Sequence, residues 1–111
     1  MLFYDGQLIL DNSISFASCH NQFNSFSDPK PFSVGVYDSI GKRNSMALVN
    51  LGWQKFFFWD GRAKTLEDQI LEPVPNPVEM HQSWDKAIEK LNQEEFYRNE
   101  FYRVFKSKTI T

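Results

Sequence analysis

The segment at residues 16–20, Phe-Ala-Ser-Cys-His, places the strongest constraint on the fold of this chain. It differs at one position from Cys-x-x-Cys-His, in which two thiols bond to the vinyl groups of haem and the histidine binds the iron. Phe16 stands where the first cysteine belongs, so Cys19 can form one thioether and no second one. On these residues alone another interpretation stays open, because a lone cysteine is most often a small buried hydrophobic residue, and a histidine such as His20 is most often a hydrogen-bonded one.

Length and composition predict one small globular domain that covers residues 1–111. With 41% apolar residues the chain can bury a core. The formal net charge of −2 provides no basic surface for nucleic acid, and no apolar run is long enough to span a membrane. Aromatic residues make up 16% of the chain, and such rings either fill a core or surround a flat apolar cofactor.

The start of the chain shows no signal peptide, because the first four residues lead directly into domain-like sequence. We therefore expect either a cytoplasmic protein or a chain that begins inside a longer exported precursor. A single cysteine also excludes an internal disulfide framework.

Capping signals and apolar spacing predict several short helices. The first covers residues 45–51, is closed by Gly52, and turns Met46 and Val49 inward. A capping box at Thr65 opens a second helix, which Pro73 ends. Ser83 opens a third, and residues 92–95 open a fourth, in which Glu94 and Arg98 are spaced as an ion pair. The apolar stripes of the last two helices are Trp84, Ile88 and Leu91, and Tyr97, Phe101, Val104 and Phe105.

Two loops rich in proline or glycine separate these helices. Residues 27–44 are predicted to form a long irregular loop, and residues 73–80 a stiff extended loop that delivers Glu79 to a fixed place. No internal repeat and no convincing pair of strands is visible. The predicted fold class is therefore mainly α with long irregular loops.

Residues 53–62 form the most aromatic stretch of the chain. Five large rings, Trp53, Phe56, Phe57, Phe58 and Trp59, precede an Asp-Gly-Arg sequence. A surface loop would expose five such rings only at considerable cost, so most of them are expected to face a core or a ligand.

Several segments together resemble the bacterial di-haem cytochrome c peroxidase family, in particular its N-terminal, peroxidatic haem domain. They lie at residues 2–5, 13–20, 41–44, 58–63 and 76–80. The resemblance extends over roughly residues 2–105. It implies a cytochrome c-like helical domain in an enzyme that reduces hydrogen peroxide to water. Electrons would come from a second haem, in a C-terminal domain that we expect to be absent from this chain, or from a donor cytochrome.

The resemblance also implies roles for individual residues. His20 would be the proximal iron ligand, and Cys19 the one thioether anchor of haem c, unless haem binds without a covalent bond. Trp59 matches a tryptophan between the two haems, and Glu79 matches the distal acid–base group that acts on bound peroxide. Asn44 matches an asparagine of a calcium site, but alone it would bind calcium poorly, since the ion takes about six to eight oxygen ligands.

Four further residues carry open alternatives. Phe16 is expected to fill part of the space of a haem vinyl group. Arg62 pairs either with a haem propionate or with Asp60 or another surface carboxylate. Residues 35–38 lack the histidine that many family members use as a distal ligand, so the distal side is expected to be open or approached by Tyr37. His81 is expected to be a surface residue, with a distal position as the alternative.

Two functions from different classes follow. In the first, the chain is the haem domain of a cytochrome c peroxidase, periplasmic by resemblance. In the second, it is a haem-free, inactive fragment or remnant that either collapses on itself or pairs with a second copy to cover its exposed rings. The replacement of cysteine by Phe16 favours the second function, whereas Cys19, His20, Trp59 and Glu79 favour the first.

Overall fold

The computed structural model describes residues 2–111, and every regular element in that range is a helix. The α-helices are α1 (Phe16–Cys19), α2 (Leu66–Ile70), α3 (Trp84–Gln93) and α4 (Glu95–Phe105). Short 3₁₀ helices cover Leu2–Tyr4, Gly6–Leu8, Gln22–Asn24, Val36–Asp38 and Leu51–Trp53. Three isolated β-bridges also occur in this range. The mainly α class is therefore confirmed. Met1 begins the segment in which no signal peptide was expected, and it lies outside the described residues.

The predicted starts of two helices are confirmed by their caps. The Thr65 hydroxyl accepts a hydrogen bond from the backbone N–H of Asp68, 3.1 Å away, and opens α2. The Ser83 hydroxyl accepts a hydrogen bond from the backbone N–H of Lys86, 3.3 Å away, and opens α3. Each hydroxyl satisfies one of the backbone donors that the first helical turn leaves unpaired. Helix α2 ends three residues before Pro73, as expected.

The hydrophobic core joins the N-terminal turns, two loops, helix α3 and the end of the chain. Its buried members are Leu8, Ile9, Val36, Val74, Met80, Ala87, Leu91 and Ile110. Trp84 and Phe101 pack against it from α3 and α4. Since Met80 directly follows Glu79, the core also fixes the loop that carries this glutamate.

None of the helices is long. The longest, α4, has 11 residues. Across residues 2–111, no helix combines the length and the apolar character that crossing a membrane would need.

Side chains of two residues, Lys90 and Tyr97, connect the N-terminal turns to the C-terminal helices. The Lys90 ammonium on α3 donates to the carbonyl oxygens of Ile9 at 2.6 Å and Leu10 at 3.2 Å. The Tyr97 hydroxyl on α4 donates to the carboxylate of Asp5. Burial, with the Asp5 hydrogen bond, raises the pKa of Tyr97 to about 12. These contacts support the segment that leads into α1.

The predicted helix at residues 45–51 is wrong. The backbone N–H of Ser45 donates to the Ser33 hydroxyl at 3.1 Å, and that of Leu48 donates to the Phe26 carbonyl at 3.3 Å. These donors are therefore paired with distant loops rather than with the preceding turn. Gly52, expected to close the helix, lies inside a single 3₁₀ turn instead. The extended loop predicted at residues 73–80 is also wrong, because that segment is a succession of turns.

The apolar face of α4 is confirmed only in part. Tyr97 and Phe101 pack against the core, but Val104 is 71% exposed and Phe105 is 64% exposed. Helical spacing determines which side chains share a face, but not how far the neighbouring surface extends.

The predicted ion pair between Glu94 and Arg98 is wrong. The Arg98 N–H donates to the Glu94 carbonyl at 3.2 Å, so the two residues are one helical turn apart, but no ion pair joins their side chains within residues 2–111. The Arg98 guanidinium instead donates to the carbonyl of Asn92. Asn92 does not cap α4 either, since its amide bonds to backbone groups of Ile88 and Ile110.

A buried amide leads to a prediction about stability. Gln82 is 1% exposed, and neither its Nε2 nor its Oε1 has a hydrogen-bond partner among residues 2–111. Burial of an unpaired polar group costs about 1–3 kcal/mol. We therefore expect Gln82→Met, which keeps a similar volume, to raise the free energy of unfolding by about 1–3 kcal/mol in urea denaturation.

The exposed Gln93 provides a matched control, because Gln93→Met should change the free energy of unfolding by less than about 0.5 kcal/mol. A loss of stability in Gln82→Met would contradict the interpretation that the buried amide is unpaired.

Candidate functional site

A cavity of about 530 Å³ lies between α1, the loop at residues 33–46, the segment at residues 58–62 and the turns at residues 73–80. Its volume is typical of sites for small molecules and cofactors. All seven predicted site residues lie on its wall: Phe16, Cys19, His20, Asn44, Trp59, Arg62 and Glu79. The fold thus brings together residues that are up to 63 positions apart in the chain, as the numbers of Phe16 and Glu79 give (79 − 16).

The imidazole of His20 is oriented by two backbone carbonyls. Its Nδ1 lies 2.9 Å from the carbonyl oxygen of Phe26 and 3.0 Å from that of Met46. A carbonyl can only accept a hydrogen bond, so Nδ1 carries the hydrogen in the neutral ring. The lone pair is then on Nε2, which is the arrangement found in metal-binding histidines.

Helix α1 holds His20 and Phe16 in place. The backbone N–H of Ser15 donates to the Ser18 hydroxyl at 3.0 Å, and the N–H of His20 donates to the Phe16 carbonyl at 2.9 Å. The Phe16 ring stacks on Phe3, with ring centroids 6.1 Å apart and planes inclined by 12°. Phe16 therefore connects α1 to the N-terminal turn as well as forming part of the cavity wall.

The thiol of Cys19 is partly buried and faces two cavities. Its Sγ donates to the Val34 carbonyl at 3.6 Å. Burial, with the nearby charges of Asp28 and Glu79, raises the pKa of the thiol. The group is consequently a neutral thiol around pH 7 rather than a reactive thiolate.

The carboxylate of Glu79 is partly buried and held by Asn76. The Asn76 Nδ2 donates to Glu79 Oε1 at 2.7 Å, and the backbone N–H of Glu79 donates to the Asn76 carbonyl at 3.1 Å. Burial raises the pKa of Glu79, although the Asn76 hydrogen bond and the charge of Arg62 lower it in part. A carboxyl of this kind exchanges a proton closer to neutral pH than an ordinary glutamate does.

The backbone of the Glu79 loop lies directly against a second loop at Gly35. A Cβ at Gly35 would lie 1.9 Å from the carbonyl oxygen of Val78, so no larger residue fits there without a backbone shift. The Val36 N–H donates to the Glu79 carbonyl at 2.8 Å, and the Ser39 hydroxyl donates to the Val78 carbonyl at 2.7 Å. These contacts fix the position of Glu79 in the cavity wall.

Trp59 and Asn44 meet at the rim of the cavity. The Trp59 indole N–H donates to the Asn44 carbonyl at 2.9 Å. The Asn44 side chain donates to the carbonyl oxygens of Asp28 at 2.7 Å and Lys30 at 2.6 Å. In the part of the chain that the structure describes, no group of three or more His, Cys, Asp and Glu side chains could hold a metal ion. Calcium binding at Asn44 therefore stays a prediction of the resemblance.

Three of the five rings of residues 53–59, Phe57, Phe58 and Trp59, face the core or the cavity, as expected. Phe57 is buried, and its backbone N–H donates to the Ala63 carbonyl at 2.9 Å. Phe58 follows with a positive φ of 63°, so the alternation of an extended strand ends there. Trp59 lines the cavity but remains 65% exposed. The exposed rings are Trp53, Phe56 and Trp59.

Arg62 belongs to a chain of charges at the mouth of the cavity. Its guanidinium donates to Glu72 at 2.9 Å and to Asp60 at 3.0 Å, and lies 3.4 Å above the centroid of the Phe58 ring. Arg43 bonds to the other oxygen of Asp60 at 2.7 Å. The bonds from Arg43 and Arg62 lower the pKa of Asp60 to about 2. The structure thus contains the carboxylate pairing of Arg62, and a propionate contact stays a prediction.

Tyr37 and His81 lie outside the cavity wall. His81 is exposed, in agreement with its predicted surface position. Tyr37 lines a neighbouring cavity of about 490 Å³ and is 69% exposed. His20 is therefore the only histidine on the wall formed by the described residues.

Sequence interpretation missed the supporting residues of this site. Asn76 lies in one of the segments that resemble the family, and Gly35 lies in the predicted loop at residues 27–44, but the sequence gives neither residue a role in the site. The one sequence signal for Asn76 is its position, directly before Pro77 and three residues before Glu79. No local signal indicated which backbone Gly35 approaches.

Comparison with known proteins gives consistent matches along the whole chain. The family model described as "Di-haem cytochrome c peroxidase" matches residues 1–111. Cytochrome c peroxidase Ccp of Escherichia coli K12 is 37% identical over 105 residues, which are 94% of this chain and 23% of that protein. Cytochrome c551 peroxidase of Nitrosomonas europaea is 36% identical over 114 residues, which cover all of this chain and 33% of that protein.

A solved structure gives the same result for the fold. A MauG-like protein associated with microbial copper homeostasis superposes with a TM-score of 0.86 at 30% identity, covering 95% of this chain and 32% of its own. The predicted fold is thereby confirmed. This chain spans between about a quarter and a third of the length of the relatives it matches.

Proposed function

Because this chain belongs to the di-haem cytochrome c peroxidase family, we propose that residues 1–111 form its peroxidatic haem domain. In this role the domain holds one haem and contributes to the reduction of hydrogen peroxide to water, in the periplasm, with electrons from a second haem or a donor cytochrome. The observation that carries the proposal is the orientation of His20. Its Nδ1–H is bonded to two carbonyls, which leaves Nε2 to bind a metal beside the cavity that also contains Cys19 and Glu79.

The wall of the cavity suits haem in chemistry as well as in volume. Phe16, Met46 and Val78 provide apolar contacts for the macrocycle, and His20 provides the iron ligand. Arg62, at the mouth of the cavity, suits a propionate through its planar guanidinium. Haem bound in this site supplies the redox centre at which peroxide is reduced.

Cys19 would provide one covalent attachment. Addition of its S–H across a vinyl double bond would form one C–S bond and one C–H bond and would need no oxidant. Phe16 has no thiol, so the second vinyl group would have no partner.

Glu79 and Trp59 support the two remaining roles. The partly buried carboxylate of Glu79 takes a proton from one oxygen of peroxide and returns it to the other, which leaves as water. Trp59 lies on the wall and is 65% exposed, so its ring extends from the cavity towards the outside of the domain. That position suits electron entry from a partner.

A second candidate function rests on the exposed rings. Trp53 is 88% exposed and Phe56 is 61% exposed. Together with the missing thiol at Phe16, they favour a haem-free domain that pairs with a second copy and covers these rings.

Haem titration of the purified chain tests the proposal. The wild-type chain is expected to develop a Soret band in absorption spectra, and His20→Ala is expected to lose the spectrum of a histidine-ligated haem. The exposed His81 provides the matched control, because His81→Ala should bind haem like the wild-type chain.

Acid–acetone extraction separates the modes of attachment in protein matured with haem. Haem should resist extraction from the wild-type chain and be released from Cys19→Ala. Absence of a Soret band in every preparation would overturn the proposal, and a dimer in light scattering would then support the second candidate.

A further inference from the structure

The side chain of Asn76 makes two different contacts within one turn. Its Nδ2 donates to Glu79 Oε1 at 2.7 Å, and its Oδ1 accepts from the backbone N–H of Val78 at 3.0 Å. Its backbone carbonyl accepts from the N–H of Glu79 at 3.1 Å and of His81 at 2.9 Å. One contact thus acts on the carboxylate, and the others organise the turn that carries it.

The prolines on both sides of Asn76 restrict this turn further. Pro77 disfavours the helical region for Asn76, and the rings of Pro75 and Pro77 fix their own φ angles. These restrictions limit the backbone of the turn, so less conformational entropy is lost when the Asn76 amide bonds to Glu79.

Asn76 differs from the charged groups near Glu79 because it donates a hydrogen bond to the carboxylate. The charged and titratable groups that act on the Glu79 carboxylate are Arg62, Glu72 and Cys19. Arg62 directs its guanidinium to Asp60 and Glu72 rather than to Glu79. Within residues 2–111, the hydrogen bond that reaches the carboxylate comes from Asn76.

We propose that Asn76 is a positioning residue for the acid–base group: it occupies Oε1 of Glu79 and leaves Oε2 as the oxygen that exchanges a proton with the substrate. This inference rests on the proposed peroxidase function. It deepens that function by naming the residue that selects the reacting oxygen of the carboxylate.

The Asn76 donor also affects the pH range in which Glu79 can act as a base. A hydrogen bond from a neutral amide favours the carboxylate over the carboxylic acid, and burial has the opposite effect. Without the Asn76 donor, burial acts unopposed by this bond, and the carboxyl keeps its proton up to a higher pH. Glu79 would then accept a proton from peroxide over a narrower pH range.

Two substitutions of Asn76 distinguish its bond to the Glu79 carboxylate from its contact with the Val78 N–H. Asn76→Asp keeps an oxygen for the Val78 N–H but removes the donor and adds a negative charge beside Glu79. Asn76→Ala removes both contacts. Asn99→Ala, at an exposed position of α4, is the matched control.

The first measurement is an NMR titration of the Glu79 side-chain carboxyl carbon in the chain without haem. We expect the pKa of Glu79 to rise in both Asn76 variants, more in Asn76→Asp because of the added like charge, and to stay unchanged in Asn99→Ala. An unchanged Glu79 titration in a folded Asn76→Asp variant would overturn the inference and leave haem binding untouched.

The second measurement is the pH dependence of peroxide turnover in the haem-loaded protein with a small organic reductant. The acidic limb of kcat/KM should move upward in Asn76→Asp together with the carboxyl titration. A purely structural role of Asn76 would lower the rate without moving this limb, and that result would overturn the inference. Failure of the wild-type chain to bind haem would instead overturn the proposed function, whatever the carboxyl titration gives.

Discussion

Replacement of Glu79 by glutamine is expected to lower peroxide turnover by the haem-loaded chain by about 10²–10⁴-fold, which is the usual contribution of a general acid–base group. Glutamine has nearly the same shape and can still bond to Asn76, but its amide neither takes up nor releases a proton near neutral pH. Haem binding should be unaffected, because Glu79 does not provide the iron ligand. Initial rates with hydrogen peroxide and a small organic reductant measure the effect.

The pH dependence of peroxide turnover provides a second test of Glu79. Burial raises the pKa of Glu79, so wild-type turnover should fall as the pH is lowered through that raised value, where the carboxylate becomes protonated. Glu79→Gln should lack this acidic limb. Glu67→Gln, at an exposed position of α2, is the control and should keep both the rate and the limb. Equal rates in Glu79→Gln and the wild-type chain would contradict a catalytic role for Glu79.

Gly35→Ala is expected to lower the free energy of unfolding by about 3 kcal/mol, the upper part of the usual range for an overpacked position. The added Cβ would lie 1.9 Å from the Val78 carbonyl oxygen and 2.8 Å from that of Glu79. Both contacts involve backbone atoms, so one of the two loops has to move. Urea denaturation measures the loss of stability.

Hydrogen exchange at Val36 detects the movement of the two loops. The Val36 N–H donates to the Glu79 carbonyl at 2.8 Å, so it should lose protection in Gly35→Ala. Gly52→Ala is the matched control. A Cβ at Gly52 meets no atom within 4 Å, and the change in stability should stay below about 1 kcal/mol. If Gly35→Ala behaved like Gly52→Ala, the two loops would not lie in direct contact.

Local signals predicted the starts of α2 and α3 correctly because their causes are local. Thr65 and Ser83 each bond to an N–H three residues further along the chain. Such a contact depends on a few neighbouring residues, and the sequence displays them directly. The predicted apolar stripe of α3 is confirmed only in part, because Leu91 is buried and Trp84 packs against the core, but the third inward residue is Ala87 rather than Ile88.

Errors occurred where the partner of a group lies far away in the chain. The N–H groups of Ser45 and Leu48 bond to residues 12 and 22 positions earlier (45 − 33 and 48 − 26), and nothing in residues 45–51 indicates those partners. The exposure of Trp53 was missed for a related reason, since apolar content gives no information about the surface that a ring meets.

The candidate site was predictable as a set of residues but not as a geometry. Matching segments indicated His20 and Glu79, and both lie on one cavity wall. The carbonyls of Phe26 and Met46, which determine the free nitrogen of His20, carry no sequence signature because every residue has a carbonyl. Supporting contacts made by backbone atoms therefore become visible only in the folded chain.

The bonds between the two ends of the described chain also have a consequence for the order of folding. Lys90 bonds to Ile9 across 81 positions, and Tyr97 bonds to Asp5 across 92. Contacts of such separation form late, because a large loop must close before they contribute any stability. The segment with Cys19 is therefore still loosely held in the early stages of folding. In the proposed haem domain, the thiol would therefore be accessible to a vinyl group before α3 and α4 fold back and the cavity takes its final shape.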